Sequence, residues 1–146
     1  METRTQIEID QPADVVFDYV ADMANNPEWQ GGMERCTWTS DPPLRLGSTY
    51  DQEARFLGRP IVSSFEVVEY EPGHLIRIKT TGGSMPIDVT RTVEPLGPGR
   101  CRVAAVVGGE ATGPMRLLGP LLPMLVRRSV SGDYRRLKAL LEAAPV

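Results

Sequence analysis

The sequence predicts an α+β fold in which a curved, seven-stranded antiparallel sheet wraps around one long C-terminal helix, with two short helices between strands 1 and 2. Three observations carry that expectation. Residues 33–110 show a hydrophobic period of two, and their apolar runs are joined by short turns rich in glycine and proline, as in a hairpin meander. In residues 112–141 the period changes to 3.6. There Val126, Val130, Tyr134, Leu137, Leu140 and Leu141 form one stripe, while Arg127, Arg128, Arg135, Arg136, Lys138 and Glu142 take the opposite side. A sheet of this length also twists and curls, so that a single helix can cross its concave face and leave a slot between them.

The elements follow in order. Thr3–Asp10 alternates as a first strand, with Thr5, Ile7 and Ile9 on one face. Pro12 stands at a helix start with Asp14 in the first turn, and Ala13, Val16, Phe17 and Val20 share a helical face up to Asp22. Asn25-Asn26-Pro27 breaks the chain, a short helical turn carries Glu28 and Trp29, and Gly31-Gly32 ends it. Strands are expected over Glu34–Ser40, Gly47–Leu57, Ile61–Glu71, Leu75–Thr81, Pro86–Glu94 and Arg100–Glu110. The turns between them fall at Asp41-Pro42-Pro43, Gly58-Arg59-Pro60, Pro72-Gly73, Gly82-Gly83 and residues 95–99. The long helix is expected from Leu122 to Ala143, because proline is best tolerated in a helix's first turn and Pro123 fits there. Met115–Leu121 is a separate apolar segment between Gly113-Pro114 and Pro120. It reads as a movable lid, with a homodimer contact or a packed first turn as the alternatives.

A chain of 146 residues suits one domain spanning 1–146. A net charge of −3 and a pI near 5.2 argue against a nucleic-acid partner, which would favour a basic face. No run of about twenty apolar residues is present, so no membrane span is expected. The first residues enter a polar strand without a signal-like segment, and the expected location is cytoplasmic. Cys36 and Cys101 are isolated and expected to be reduced. His74, the single histidine, follows a turn and has no ligand cluster or triad around it. No metal, cofactor or catalytic residue is assigned.

The run Ile7-Glu8-Ile9-Asp10-Gln11-Pro12-Ala13-Asp14-Val15-Val16-Phe17-Asp18-Tyr19-Val20-Ala21-Asp22 resembles the start of the polyketide cyclase/dehydrase group within the START-like (SRPBCC, Bet v 1-like) superfamily. Asn26-Pro27-Glu28-Trp29, the hairpin edge Val67–Gly73 and the closing Asp133–Glu142 fit the same pattern. The resemblance covers essentially the whole chain. It implies a helix-grip fold around a hydrophobic cavity, but not one chemistry, since the superfamily includes lipid and hormone carriers as well as aromatase/cyclases. The family's cyclases carry a polar pair with an arginine on the strand corresponding to Ile61–Glu71. Here that strand offers Ser63 and Ser64 and no arginine, which weighs against cyclase chemistry.

Candidate ligand-binding residues follow. A helix-grip fold places Trp29 near the pocket mouth, where an indole can cover an apolar guest; a core plug is the plainer reading. Trp38, Tyr50, Phe56 and Phe65 would line an aromatic wall or fill the core. Among strand arginines, Arg91 shares a face with Ile87, Val89 and Val93 and points inward, Arg55 has no clear phase, and Arg77 points outward between Ile76 and Ile78. Ile78, Val126 and Val130 supply apolar lining. Asp133, at the edge of the helical stripe, is either a half-buried carboxylate of raised pKa or the partner of a nearby arginine. The expected function is binding of a small hydrophobic ligand (lipid, polyketide-like or aromatic) by a carrier or sequestering protein. The alternative is a polyketide cyclase, aromatase or dehydratase, with Arg91, Tyr50 or Asp133 handling the proton. A third reading is a protein-interaction module using 115–121.

Overall fold

The structure is a computed structural model that describes residues 1–110 and 113–143, the side chains of 113–115 excepted. Thr112, at the head of the helical stretch, lies outside the described residues, as do the side chains of Met115 in the lid segment and of Pro114 before it. Seven strands are present: β1 Glu2–Ile9, β2 Met33–Trp38, β3 Thr49–Phe56, β4 Arg59–Glu71, β5 Leu75–Gly83, β6 Ile87–Gly97 and β7 Arg100–Gly109. They form one antiparallel sheet in the order β1-β7-β6-β5-β4-β3-β2. Helix α1 (Ala13–Ala21) and a 3-10 turn (Met23–Glu28) connect β1 to β2. A second 3-10 turn (Gly113–Leu118) precedes the long helix α2 (Leu121–Ala143). This is the helix-grip architecture, a curled half-barrel closed on its terminal helix.

Alternation decides which face is buried. Ser63, Phe65 and Val67 of β4, Ile76 and Ile78 of β5, Arg91 and Val93 of β6, and Cys101, Val103 and Ala105 of β7 all face inward. Against them lie Val16, Phe17 and Val20 of α1 and Tyr134, Leu137 and Leu141 of α2. The C-terminal end of α2 is clasped by the exit of β1. Lys138 Nζ donates to the Glu8 carbonyl at 2.7 Å, Gln11 Nε2 to the Leu141 carbonyl at 2.8 Å, and the Asp10 amide to Glu142 at 2.8 Å. These bonds fix the helix end on the sheet and leave its N-terminal half to span the open side.

Several boundaries differ from expectation for identifiable reasons. The β3–β4 hairpin turns at Leu57–Gly58, not at 58–60. Both residues have positive φ (53° and 76°), and Phe56 pairs with Arg59, which is the geometry of a tight two-residue hairpin. Pro60 is tolerated inside β4 because β5 pairs only from Ser63 onward, so residue 60 has a single neighbouring strand. β6 runs on through Pro95 by way of an irregularity between Pro95 and Gly97. On α2, Leu140 belongs to the expected apolar stripe yet is 41% exposed. Leu117, Leu121 and Met124 are exposed as well.

Candidate functional site

The two ends of the space between sheet and α2 are filled very differently. At one end Trp29, Tyr50, Phe65 and Phe17 are all fully buried, with Tyr50 stacked on Phe65 at 5.0 Å between ring centroids and Trp29 edge-on to Tyr134 at 5.0 Å. Toward the other end the facing positions carry short side chains: Ala54 on β3, Val89 on β6, Val107 to Gly109 on β7, and Val126 and Val130 on α2. Short side chains opposite one another cannot meet across a curled sheet. A cavity of about 200 Å³ remains there, lined mainly by aliphatic groups.

Of the residues singled out in the sequence, Arg55, Phe56, Arg91, Val126, Val130 and Asp133 lie on the cavity wall. Arg55 sits at the rim and turns its guanidinium outward to Glu34, 2.8 Å away. Arg91 is 2% exposed. Its Nη1 donates to the Val20 carbonyl at the end of α1 (2.8 Å) and to Asn26 Oδ1 (3.0 Å), and its Cζ lies 4.9 Å from the centroid of the Trp29 ring. Trp29, Tyr50, Phe65 and Ile78 stand behind the wall as core. Trp38 packs edge-on against Tyr50 at 5.3 Å between ring centroids, its Nε1 donates to Asp22 at 2.8 Å, and its ring borders a separate cleft of about 470 Å³ between α1 and residues 40–44. Its ring packs against the core, as the phase of β2 places it, and does not reach the 200 Å³ cavity. Arg77 lies on the convex face, held by Asp88 and Glu69.

Asp133 is the acidic group of the site. It accepts the Gly31 amide at 2.9 Å and pairs with Arg136. Burial raises its pKa, opposed by the Gly31 amide and by the cations Arg136 and Arg91. Tyr50 and Tyr134 are likewise pushed up by burial, so both phenols stay protonated at neutral pH. The Cys36 thiol is pushed up to about 11, first by burial. Among the described residues no group of three His, Cys, Asp or Glu side chains is placed to hold a metal ion, and both cysteines are free. The sequence reading did not single out Ala54, Val107, Leu122 or Tyr134 as wall residues, yet they line the cavity. The first two gave no signal beyond small size; only the strand register brings them opposite α2.

The family model described as "Polyketide cyclase / dehydrase and lipid transport" matches residues 1–142. The chain belongs to that family. Comparison of the sequence with curated proteins found no match. Among solved structures, a Thermus thermophilus protein is similar at 19% identity and a TM-score of 0.83, covering 99% of this chain and 100% of that one. A START superfamily protein from Mycobacterium smegmatis is similar at 17% identity, a TM-score of 0.83 and 97% coverage of each chain. The Zhui aromatase/cyclase of a Streptomyces species shares 12% identity with a TM-score of 0.77, over 97% of this chain and 93% of that one. At these identities the likeness establishes the fold. No helix among the described residues is long and apolar enough to cross a membrane.

Proposed function

We propose that this family member binds a small hydrophobic molecule in the cavity between sheet and α2, as a carrier or sequestering protein. The supporting observation is the cavity itself, whose aliphatic wall of Val89, Val107, Leu122, Val126 and Val130 meets few polar groups. Removing about 200 Å² of apolar ligand surface from water contributes roughly 5 kcal/mol before association costs, at about 25 cal/mol per Å². In this reading Val126, Val130, Arg55, Arg91 and Asp133 contact the guest, and Trp29, Tyr50, Phe65 and Ile78 keep the wall rigid from behind. The segment leading into Leu122, which carries the exposed Leu117 and Leu121, opens and closes the entrance; the same exposed leucines are the contact for a second copy if the protein is a dimer.

A second reading, catalysis on a bound aromatic or polyketide guest, draws on one observation: Asp133 lies on the cavity wall with its pKa raised by burial. Its engagement with Gly31 and Arg136 suits a positioned carboxylate better than a mobile proton carrier.

Native mass spectrometry of the protein purified from its own host tests the binding reading. A co-purifying small mass that is absent from a Val126→Phe variant is the expected result. A protein that is empty as isolated and takes up no apolar fluorescent probe would sink it. Conversion of the co-purified compound by the unaltered protein, lost in Asp133→Asn, decides for the second reading.

A further inference from the structure

Arg91 on the cavity wall, and the core directly behind it, hold a surplus of hydrogen-bond donors. Arg91, on the cavity wall and 2% exposed, directs Nη1 to Val20 O and Asn26 Oδ1, with Met23 Sδ 3.4 Å away. Arg91 has the Tyr134 hydroxyl as a further hydrogen-bond partner, and none of these partners is an anion. Its Nε has no acceptor, and neither has Nε1 of Trp29, the ring over which the guanidinium lies; the Tyr50 hydroxyl, buried in the same core, also lacks a partner. The carboxylate on the wall, Asp133, is committed to Arg136 and the Gly31 amide. Buried donors without acceptors destabilise a protein by about 1–3 kcal/mol each, and the negative charge that Arg91 feels, that of Asp133, is hydrogen-bonded to other groups. What Arg91 lacks is an anionic acceptor hydrogen-bonded to it.

We infer that the cavity guest is a carboxylic acid, its carboxylate received by Arg91 Nε and its apolar body lying among Val89, Val107, Val126 and Val130. This rests on the reading that the cavity holds an apolar guest, and it names the head group of that guest. A charge-assisted bond to a carboxylate is about twice as strong as a neutral one, and it gains further from the low dielectric around Arg91. Size narrows the class. A cavity of about 150 Å³ accommodates a benzene-sized molecule, so a space of about 200 Å³ suits a single ring or a short chain bearing the acid. A neutral guest of the same shape gives Arg91 no anion in direct hydrogen bond.

Hydrocinnamate and hydrocinnamyl alcohol are matched in ring and chain and differ in the charged head, so calorimetric titration of the unaltered protein with each at neutral pH is the test. The acid is expected to bind at least tenfold tighter than the alcohol. Equal affinities overturn the carboxylate inference and leave apolar binding standing. Binding of neither probe overturns both. Arg91→Lys, which keeps the charge, retains part of the preference, while Arg91→Met abolishes it. Arg91 also ties α1 to the 3-10 turn, so each variant is first matched to the parent by circular dichroism. The acid-to-alcohol ratio of the unaltered protein decides the matter even if Arg91→Met fails to fold.

Discussion

Asp133 accepts the backbone amide of Gly31 at 2.9 Å, a bond that closes a separation of 102 residues. Gly31 belongs to the corner between the first 3-10 turn and β2, and Asp133 to the middle of α2, so one carboxylate ties the helix to the opposite lip of the cavity. Arg136 completes the tie by pairing with Asp133 and donating from Nε to the Trp29 carbonyl at 3.1 Å. A side chain at Gly31 would intrude on this arrangement, since its Cβ would stand 2.7 Å from Arg136 Nη2.

Replacing Asp133 separates its hydrogen bond from its charge. Asp133→Ala strands the Gly31 amide and Arg136 and is expected to lose about 1–3 kcal/mol in urea unfolding; Asp133→Asn keeps an acceptor and loses less. The pH dependence has a definite sign. Burial raises the native pKa above that of the unfolded chain, so between those two values the native state binds more protons and stability falls as pH rises. Asn does not titrate. The stability of Asp133→Asn relative to the parent therefore improves as pH rises through that interval and is constant on either side. Asp88, held low by Arg77, and Glu142, held low by Lys138, slope the other way and cancel in the difference. A difference that is flat across the whole acid range would show that Asp133 is not buried as described.

Gly32, like Gly83, is expected to be intolerant of alanine in a way that left-handed glycines in open turns are not. Its φ is +78°, and a Cβ there would lie 2.3 Å from the carbonyl oxygen of Arg55, whose own amide donates to Gly32 O at 2.7 Å. Gly47 has a φ of +90° and open space around its Cβ position. Gly47→Ala should therefore show only the conformational term of about 1–2 kcal/mol, and Gly32→Ala clearly more, read as a larger drop in the urea midpoint. Similar losses for the two would mean that the β2–β3 backbones are not so closely apposed.

The alternating strands, the two helical periods and the inward phase of Arg91 were legible in the sequence, because each depends on local spacing. Arg91 follows Ile87 and Val89 and precedes Val93 at intervals of two, and a strand has no other way to place it. The hairpin at Leu57–Gly58 was hidden because leucine rarely takes a positive φ, and Pro60 drew the expected turn two residues on. Trp38 takes the core alternative, packed edge-on against Tyr50; its bond to Asp22 lies beyond what alternation encodes. The cavity depends on Ala54, Gly108 and Val126 standing opposite one another, a relation of sheet register and helix rotation that no single stretch contains.

Cys36 should be unreactive in the native state. Its sulfur lies 3.8 Å from both Asn26 Nδ2 and Gln52 Oε1, is largely buried, and has its pKa pushed up to about 11. The thiolate is the reactive form, so both burial and protonation protect it. Cys101 is fully buried and its pKa is raised for the same reason. Labelling with a disulfide reagent near pH 8 is expected to run at least 100-fold slower in the folded protein than in denaturant. Rapid labelling of one thiol without denaturant would locate an opening near it.

Filling the cavity should abolish binding without unfolding the protein. Val126 and Val130 are half-buried and border the cavity, so a phenyl group at either position has space to enter. Val126→Phe and Val130→Phe are expected to keep the parent's thermal midpoint within a few degrees while weakening binding of an apolar probe at least tenfold. Overpacking a filled core would instead destabilise by about 1–3 kcal/mol. Leu137, one turn beyond Tyr134 and fully buried, gives the contrast: Leu137→Ala opens a hole in the packed end and should lose about 2–5 kcal/mol. Its effect on binding should follow stability alone. If both phenylalanine variants fold normally and bind the probe as the parent does, the guest lies elsewhere, and the 470 Å³ cleft beside Trp38 becomes the place to look.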